Sequence, residues 1–375
     1  MAELLTNTTD LTKVAAAIRE KGGTSDSLVY PDGFVTAIQA IQTGTELQII
    51  VTVTSGATVT ATKGSLSVSG TAVDGTCTLT VPEAGTWSVK ATLGGETSNT
   101  KSVTFTDSYD VTLAFVSPTL NDNDWATIRE VSDKGDGANY WSIGDRKAVT
   151  LNGTVGQLSL SNYTTYAFII GFNHNAELEG QNRIHFQLGK TALSGGTDVA
   201  LCDSKYNSQA SATGYFSMNS NATNSGGWNS SQMRTNICGT SLASYSGTII
   251  AVIPAALRAI IKSVTKYTDN TGASSDASAV TATTDYFFLL AEYEVFGTIS
   301  RGNPNESSKQ AQYSYYSAGN SKVKYNHSAT STAVVWWLRS PFAGSSTYFT
   351  LVIPDGAVSN DNAHYSIGFA PGFCV

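Results

Sequence analysis

At 375 residues the chain exceeds one ordinary domain, so two or three units are expected. Hydrophobic residues make up 41% and charged ones only 14%, with 34 glycines; this argues for a β-rich body of the extracellular kind and against a cytosolic helical enzyme. A net charge of −7 argues against a nucleic-acid-binding face, and no apolar run is long enough for membrane insertion.

Residues 1–44 read as a short helical segment. Thr9-Asp10 is placed to cap a helix in which Leu11, Val14, Ala15 and Ile18 follow helical spacing, with Gly22-Gly23 as the stop. Phe34, Ile38 and Ile41 mark a second short amphipathic helix. Two such helices bury little by themselves, so they are expected to dock on another copy or on a larger assembly. Met1-Ala2-Glu3-Leu4-Leu5 has neither a basic stretch nor a long apolar core, so no signal peptide is expected. The runs Thr6-Asn7-Thr8-Thr9-Asp10-Leu11-Thr12, Ala16-Ala17-Ile18-Arg19-Glu20-Lys21-Gly22-Gly23-Thr24 and Tyr30-Pro31-Asp32-Gly33-Phe34 resemble the N-terminal segment of phage structural proteins. That likeness implies attachment to a virion tail or baseplate protein.

Residues 45–117 switch to a period of two. Leu47–Val53, Ala57–Ala61, Cys77–Val81, Trp87–Ala91 and Ser102–Phe105 read as strands, separated by turns such as Asp74-Gly75 and Gly94-Gly95. Their number and spacing predict a small β-sandwich, and the unit resembles a bacterial immunoglobulin-like or prealbumin-like spacer.

Residues 118–375 form the largest unit. Trp125–Ile128 begins a helix, and Ala167–Phe172, Ile184–Leu188 and Tyr286–Leu290 read as buried strands. The Ser/Asn/Gly-rich stretch 203–231 reads as a surface excursion, and Pro254 as the start of a helix to about Ser263. Glu292 and Glu294 alternate within a strand-like run, facing solvent or pairing with Arg339 or Arg301. Four histidines, His174, His185, His327 and His364, make no metalloprotease pattern. His174 with Glu177 and Glu179 reads as a surface cluster and His185 as a core residue; no metal, calcium or other cofactor is expected. The four cysteines are far apart in sequence and read as buried free thiols.

Phe172-Asn173-His174-Asn175, Gly226-Gly227-Trp228-Asn229, Met233-Arg234, Leu289–Gly297, Trp336-Trp337-Leu338-Arg339-Ser340-Pro341 and Gly368–Cys374 occur in order along the third unit. Together they resemble the C-terminal domain of the variable (target) proteins of diversity-generating retroelements. The resemblance implies a C-type-lectin-like fold, related in shape to formylglycine-generating enzymes, with a hypervariable surface near the C-terminus at about 342–367. Such retroelements substitute adenines, chiefly in AAC codons, and NNC codons never encode Lys, Glu, Gln, Met or Trp. From Phe342 to Val375 the chain contains none of the five. The contact residues expected there are Phe342, Tyr348, Thr350, Ile353, Asp355, Ser359, Asn360, Asp361, His364 and Tyr365, a set chemically close to antibody paratopes. In the alternation Phe349-Leu351-Ile353 some side chains must face the core. Trp228, Trp336 and Trp337 are expected in the core, and Arg339 in a structural ion pair.

The whole is expected to be an α+β multidomain chain: short N-terminal helices, an immunoglobulin-like β-sandwich and a C-type-lectin-like domain. Its expected role is ligand binding on a phage tail, or otherwise outside the cell, with no catalysis. The partners would be a host-cell surface protein or glycan and a second copy of the chain, a trimer suiting a fibre tip. The alternative is an enzyme on the same fold, of formylglycine-generating or glycoside-processing type. The first would need Cys238 and Cys374 to converge, and the second a pair of carboxylates set across a cleft.

Overall fold

A computed structural model describes residues 8–22, 27–40, 47–106, 108–113, 115–206 and 214–375. The chain divides into two compact units, Met1–Phe115 and Val116–Val375. It is an α+β protein dominated by strands in several separate sheets, with few and mostly short helices.

The first unit begins with α1 (Thr8–Gly22) and α2 (Asp32–Ala40). Thr9 and Asp10 lie inside the first turn of α1 and do not precede it. Ala15, Ile18 and Phe34 are the buried residues of this helical pair, packed with Leu11, Leu28 and Ala37. Val14 and Ile38, expected on the apolar stripe, are about half exposed (47% and 53%), so the stripe is narrower than its spacing implies. Ile41 and Gly23 lie outside the described residues.

Eight strands follow: β1 (Gln48–Thr52), β2 (Thr58–Lys63), β3 (Leu66–Thr71), β4 (Thr76–Thr80), β5 (Gly85–Leu93), β6 (Glu96–Thr97), β7 (Lys101–Phe105) and β8 (Tyr109–Thr112). One sheet has the order β4-β1-β8; the other runs β3-β2-β5-β6, with β7 also on β5. Inward residues of both sheets, among them Ile49, Val51, Val59, Leu79, Trp87, Val89 and Val103, form one core. Strict alternation of buried and exposed positions along β4 and β5 reflects sheets covered on one face only. The β3–β4 and β5–β6 turns place Asp74-Gly75 and Gly94-Gly95 at positive φ, the geometry that matches strand twist in a two-residue hairpin. β3 and β8 were not expected, because mostly exposed Ser, Thr, Gly, Tyr and Asp leave them almost no apolar alternation.

The second unit starts with α3 (Trp125–Asp133), whose first turn is capped by Asp124 Oδ1 accepting from Thr127 N at 2.6 Å. Its strands are β9 (Arg146–Val155), β10 (Leu158–Phe172), β11 (Ile184–Lys190), β12 (Val199–Ala200), β13 (Val264–Asp269), β14 (Val280–Asp285), β15 (Phe287–Phe288), β16 (Lys324–Asn326), β17 (Ala329–Val334), β18 (Trp336–Pro341), β19 (Tyr348–Val352), β20 (Val358–Asn362) and β21 (Gly372–Cys374). An antiparallel five-stranded sheet, β15-β21-β11-β10-β9, forms the centre. β11 and β21 are buried at every position, as is the apolar run 167–171 of β10; β11 buries His185, Gln187 and Lys190 alongside its apolar residues. A second antiparallel sheet has the order β18-β19-β20.

Four local expectations are corrected. Tyr286–Leu290 is a strand only at Phe287–Phe288. Glu292 and Glu294 stand on a short helix, Glu292–Phe296, and both are buried. Glu294 Oε2 accepts from Ala291 N at 2.9 Å and so caps its own helix start, while Glu292 accepts from Ser300 N, Arg301 N and Gly302 N. The helix after Pro254 spans only Ala255–Arg258, because Lys262 turns away to donate its main-chain N–H to Cys374 O. Residues 214–231 are no surface excursion: Phe216, Met218, Asn224 and Trp228 are fully buried there.

Candidate functional site

The apolar frame of the C-terminal stretch is interior. Every residue of β18 is buried, and so is every residue from Ser366 to Val375. Trp336 and Trp337 are 0% exposed and spend their indole N–H groups on the main-chain carbonyls of Lys322 and Phe216, each at 2.9 Å. Trp228 and Arg234 both hold Asp285, at 3.1 and 2.6 Å. Gly227 has no room for a side chain, since a Cβ would lie 1.9 Å from Asp269 O. The framing motifs therefore fasten the 227–234 segment to the β13–β14 hairpin.

Arg339 is fully buried and forms a fork with Glu294, at 2.5 and 2.7 Å, with further bonds to Leu289 O and Thr268 Oγ1. Burial alone would raise the Glu294 carboxyl, but Arg339 and then Lys266 outweigh it and hold it below the usual range. Lys266 donates to Glu179 at 2.6 Å, Glu294 at 3.0 Å and Tyr313 Oη at 2.8 Å, so all three of its protons are used. Glu179 is pushed up to about 7 by burial, with Lys266 pulling against it. His174 falls to about 3, through burial first and Lys266 second.

His174 and Glu179 are thus interior groups, which corrects their reading as a surface cluster. Their ligating atoms and those of Glu294 lie within 4.8 Å of one another. A cation already bridges the two carboxylates: the ammonium of Lys266. His185 is fully buried; its Nδ1 lies 3.1 Å from Tyr313 Oη and 3.3 Å from Cys374 Sγ. All four cysteines are free and buried, and burial pushes the Cys374 thiol up to about 12, the opposite of an activated nucleophile. This cluster is closed to solvent. It ties the β10–β11 connection, β11, β13, β18, β21 and the Glu292–Phe296 helix together.

The half-exposed part of the same stretch runs along β20 and its flanks. Phe342 and Tyr348 are half-buried, their rings stacked with centroids 6.2 Å apart. Asp355 is exposed in the turn, its Oδ1 accepting from Ala357 N. Ser359, Asn360 and Asp361 are half-buried on β20, where alternation sends Asn360 to one face and Ser359 and Asp361 to the other. Burial raises the Asp361 carboxyl, with the Asn362 N–H and His364 opposing it. His364 and Tyr365 are half-buried with rings 4.4 Å apart. Ile353 and Tyr365 lean on the main core. Thr350 is a correction: it is 0% exposed, because β19 is the central strand and its Oγ1 donates to Ser340 O at 2.9 Å. It belongs to the frame and not to the contact surface.

What holds this surface was not legible in the sequence. Asn224, fully buried, donates through Nδ2 to Phe342 O, Ser345 O and Tyr348 O, at 3.3, 2.8 and 2.8 Å, and through its main-chain N–H to Ser346 O. Asp203 accepts from Tyr215 N and Ser366 Oγ, fixing the end of the stretch. Asn224 fastens loop 342–348 by main-chain carbonyls, so the loop's side chains carry none of these bonds. An Asn within a Ser/Asn/Gly-rich run gives no sequence signal for such a role.

Residues 204–375 match a domain of unknown function, DUF6273. The match lies within the second unit and takes in both Asn224 and the β18–β20 sheet. No curated protein and no solved structure matched the chain.

Proposed function

We propose that this chain is a ligand-binding display protein, a phage receptor-binding or adhesion protein whose C-terminal surface is diversified by a retroelement. On this reading the second unit is a C-type-lectin-like scaffold, the strand-rich part of the first unit an immunoglobulin-like spacer, and the N-terminal helices the attachment to a virion tail. The partner is a host-surface protein or glycan, met on the virion surface or elsewhere outside the cell, and bound by several copies whose avidity multiplies a modest single-site affinity.

One observation carries the proposal. The run 353–365, half-exposed or exposed apart from buried Ala363, is framed by fully buried β18, most of β19 and residues 366–375, and its adjoining loop is fastened through main-chain carbonyls. Side chains on such a surface can change while the fold persists. The absence of Lys, Glu, Gln, Met and Trp from 342–375 agrees with diversification at AAC codons.

Sequencing the gene's neighbourhood tests it. A reverse-transcriptase gene and a near-copy of the 3′ end of the coding sequence, differing at adenines, are the expected result. A locus with neither, together with clonal isolates identical across β20, would refute diversification.

A further inference from the structure

Strand register determines where each main-chain group of β20 points. At the two ends of the β19–β20 hairpin, Ile353 N donates to Ala357 O and Ala363 N to Thr347 O. These bonds share the register that sets Phe349 opposite Asp361 and Leu351 opposite Ser359. In an antiparallel ladder, therefore, the odd-numbered residues of the two strands bond to each other. On the other side of β19, Phe342 N donates to Tyr348 O, turning its even-numbered residues toward β18. Val358, Asn360 and Asn362 accordingly direct N–H and C=O away from the sheet.

Asn362 finds local partners: its N–H bonds Asp361 Oδ1 at 2.8 Å and its carbonyl accepts from Tyr365 N at 3.0 Å. Val358 and Asn360 have no such partner among the described residues. Two donors and two acceptors thus alternate along an open edge with the spacing of a β-strand. Natural edges are blunted by Lys, Pro, bulges or a covering segment. β20 carries no Lys or Pro, and its register with β19 is unbroken. Asp355 and Asp361 are the only carboxylate side chains from Phe342 to Val375, a stretch without Lys or Arg, and Lys322 lies beside the turn at Gly356.

We infer that the free edge of β20 takes up an extended, cationic segment of a partner polypeptide as an added strand. The partner's main chain pairs with Val358 and Asn360, and a Lys or Arg of the segment lies against Asp361 or Asp355. This inference rests on the display reading and narrows its ligand to polypeptide. It also gives a diversified surface a constant source of affinity, since main-chain pairing survives side-chain replacement.

The test pans the full-length chain against a displayed library of linear peptides, with glycans and folded surface proteins screened in parallel. Enriched peptides should be rich in Lys, Arg and β-branched residues, and should protect the Val358 and Asn360 amides from hydrogen exchange. Asn360→Pro removes one outward N–H and leaves the inward ladder intact, a substitution that edge strands tolerate. It should weaken peptide binding at least about tenfold, a loss of about 1.4 kcal/mol. Asn360→Ala, which removes the side chain but keeps the N–H, should still allow bound peptide to protect the 358 and 360 amides. If the proline variant fails to fold, protection at Val358 and Asn360 in the unaltered chain decides. Failure to enrich linear peptides, or peptide binding without that protection, overturns strand uptake. Binding to glycans or folded proteins would in that case leave the display reading standing, whereas a locus without a template repeat counts against diversification alone.

Discussion

Asn224 concentrates in one side chain the support of a whole loop, and its replacement separates scaffold from surface. Asn224→Ala removes three hydrogen bonds from buried or half-buried carbonyls and should cost about 2–3 kcal/mol in chemical denaturation. Asn224→Asp, almost the same shape, should cost at least as much, because it sets a carboxylate against the same three carbonyls. Glu306 yields a prediction of a different kind. Burial pushes its carboxyl up to about 7 despite donors from Asp269 N, Ser340 Oγ and Gln310 Nε2. A carboxyl with a raised folded pKa keeps a proton that the unfolded chain releases. Its contribution is therefore full below about 4.5 and is lost as pH rises through about 7. Glu294, shifted the other way, acts only below about 4.5, so the two windows do not overlap. Thermal melts across pH 4 to 8 should show Glu306→Gln losing part of this decline, since the amide mimics the protonated acid. Parallel curves for the two proteins would show that Glu306 is ionised throughout.

On the proposed display reading, the β18–β20 sheet would divide a constant frame from a variable edge. Replacing Asp355, Ser359, Asn360 and Asp361 together by Ala should change stability by no more than about 0.5 kcal/mol per site. Phe349→Ala, on the adjacent central strand and fully buried, should cost about 3–5 kcal/mol. Urea denaturation of the two variants checks both figures, and a comparable loss in the first would mean that β20 is part of the core. The same contrast shows what the sequence disclosed. Apolar content identifies the buried strands: β18 and β21 come from unmistakably apolar runs, and the Arg339–Glu294 pair was among the partners expected from those motifs. Thr350 was misplaced because its exposure depends on being in the middle strand, and strand order is a long-range fact. Glu292 and Glu294 misled for a related reason. Alternating charge in an apolar setting reads as a strand face until a partner such as Ser300–Gly302 is seen to wrap the carboxylate. Short strands such as β3, where only Leu66 and Val68 alternate with Ser and the rest is Gly and Thr, carry little periodic signal.

On the scale of the whole molecule, the cores are separate. The strands of the first unit enclose one cluster running from Ile49 to Leu113, and the second unit encloses another running from Leu120 to Val375. Cooperative unfolding needs a shared core, so two units with their own cores should unfold as two transitions. The tryptophans make this measurable. Trp87 lies in the first core, while Trp125, Trp141, Trp228, Trp336 and Trp337 lie in the second. In a Trp87→Phe variant, tryptophan fluorescence follows the second unit alone, while circular dichroism follows both. The fluorescence transition should coincide with one of the two seen by dichroism and leave the other silent. A single transition, identical by both probes, would mean that the units are energetically coupled. For the displayed binding domain proposed above, coupling would matter, because a surface varying from copy to copy would also vary in its cost to the fold. Confined to one unit, that cost leaves the strands and helices of the other folded.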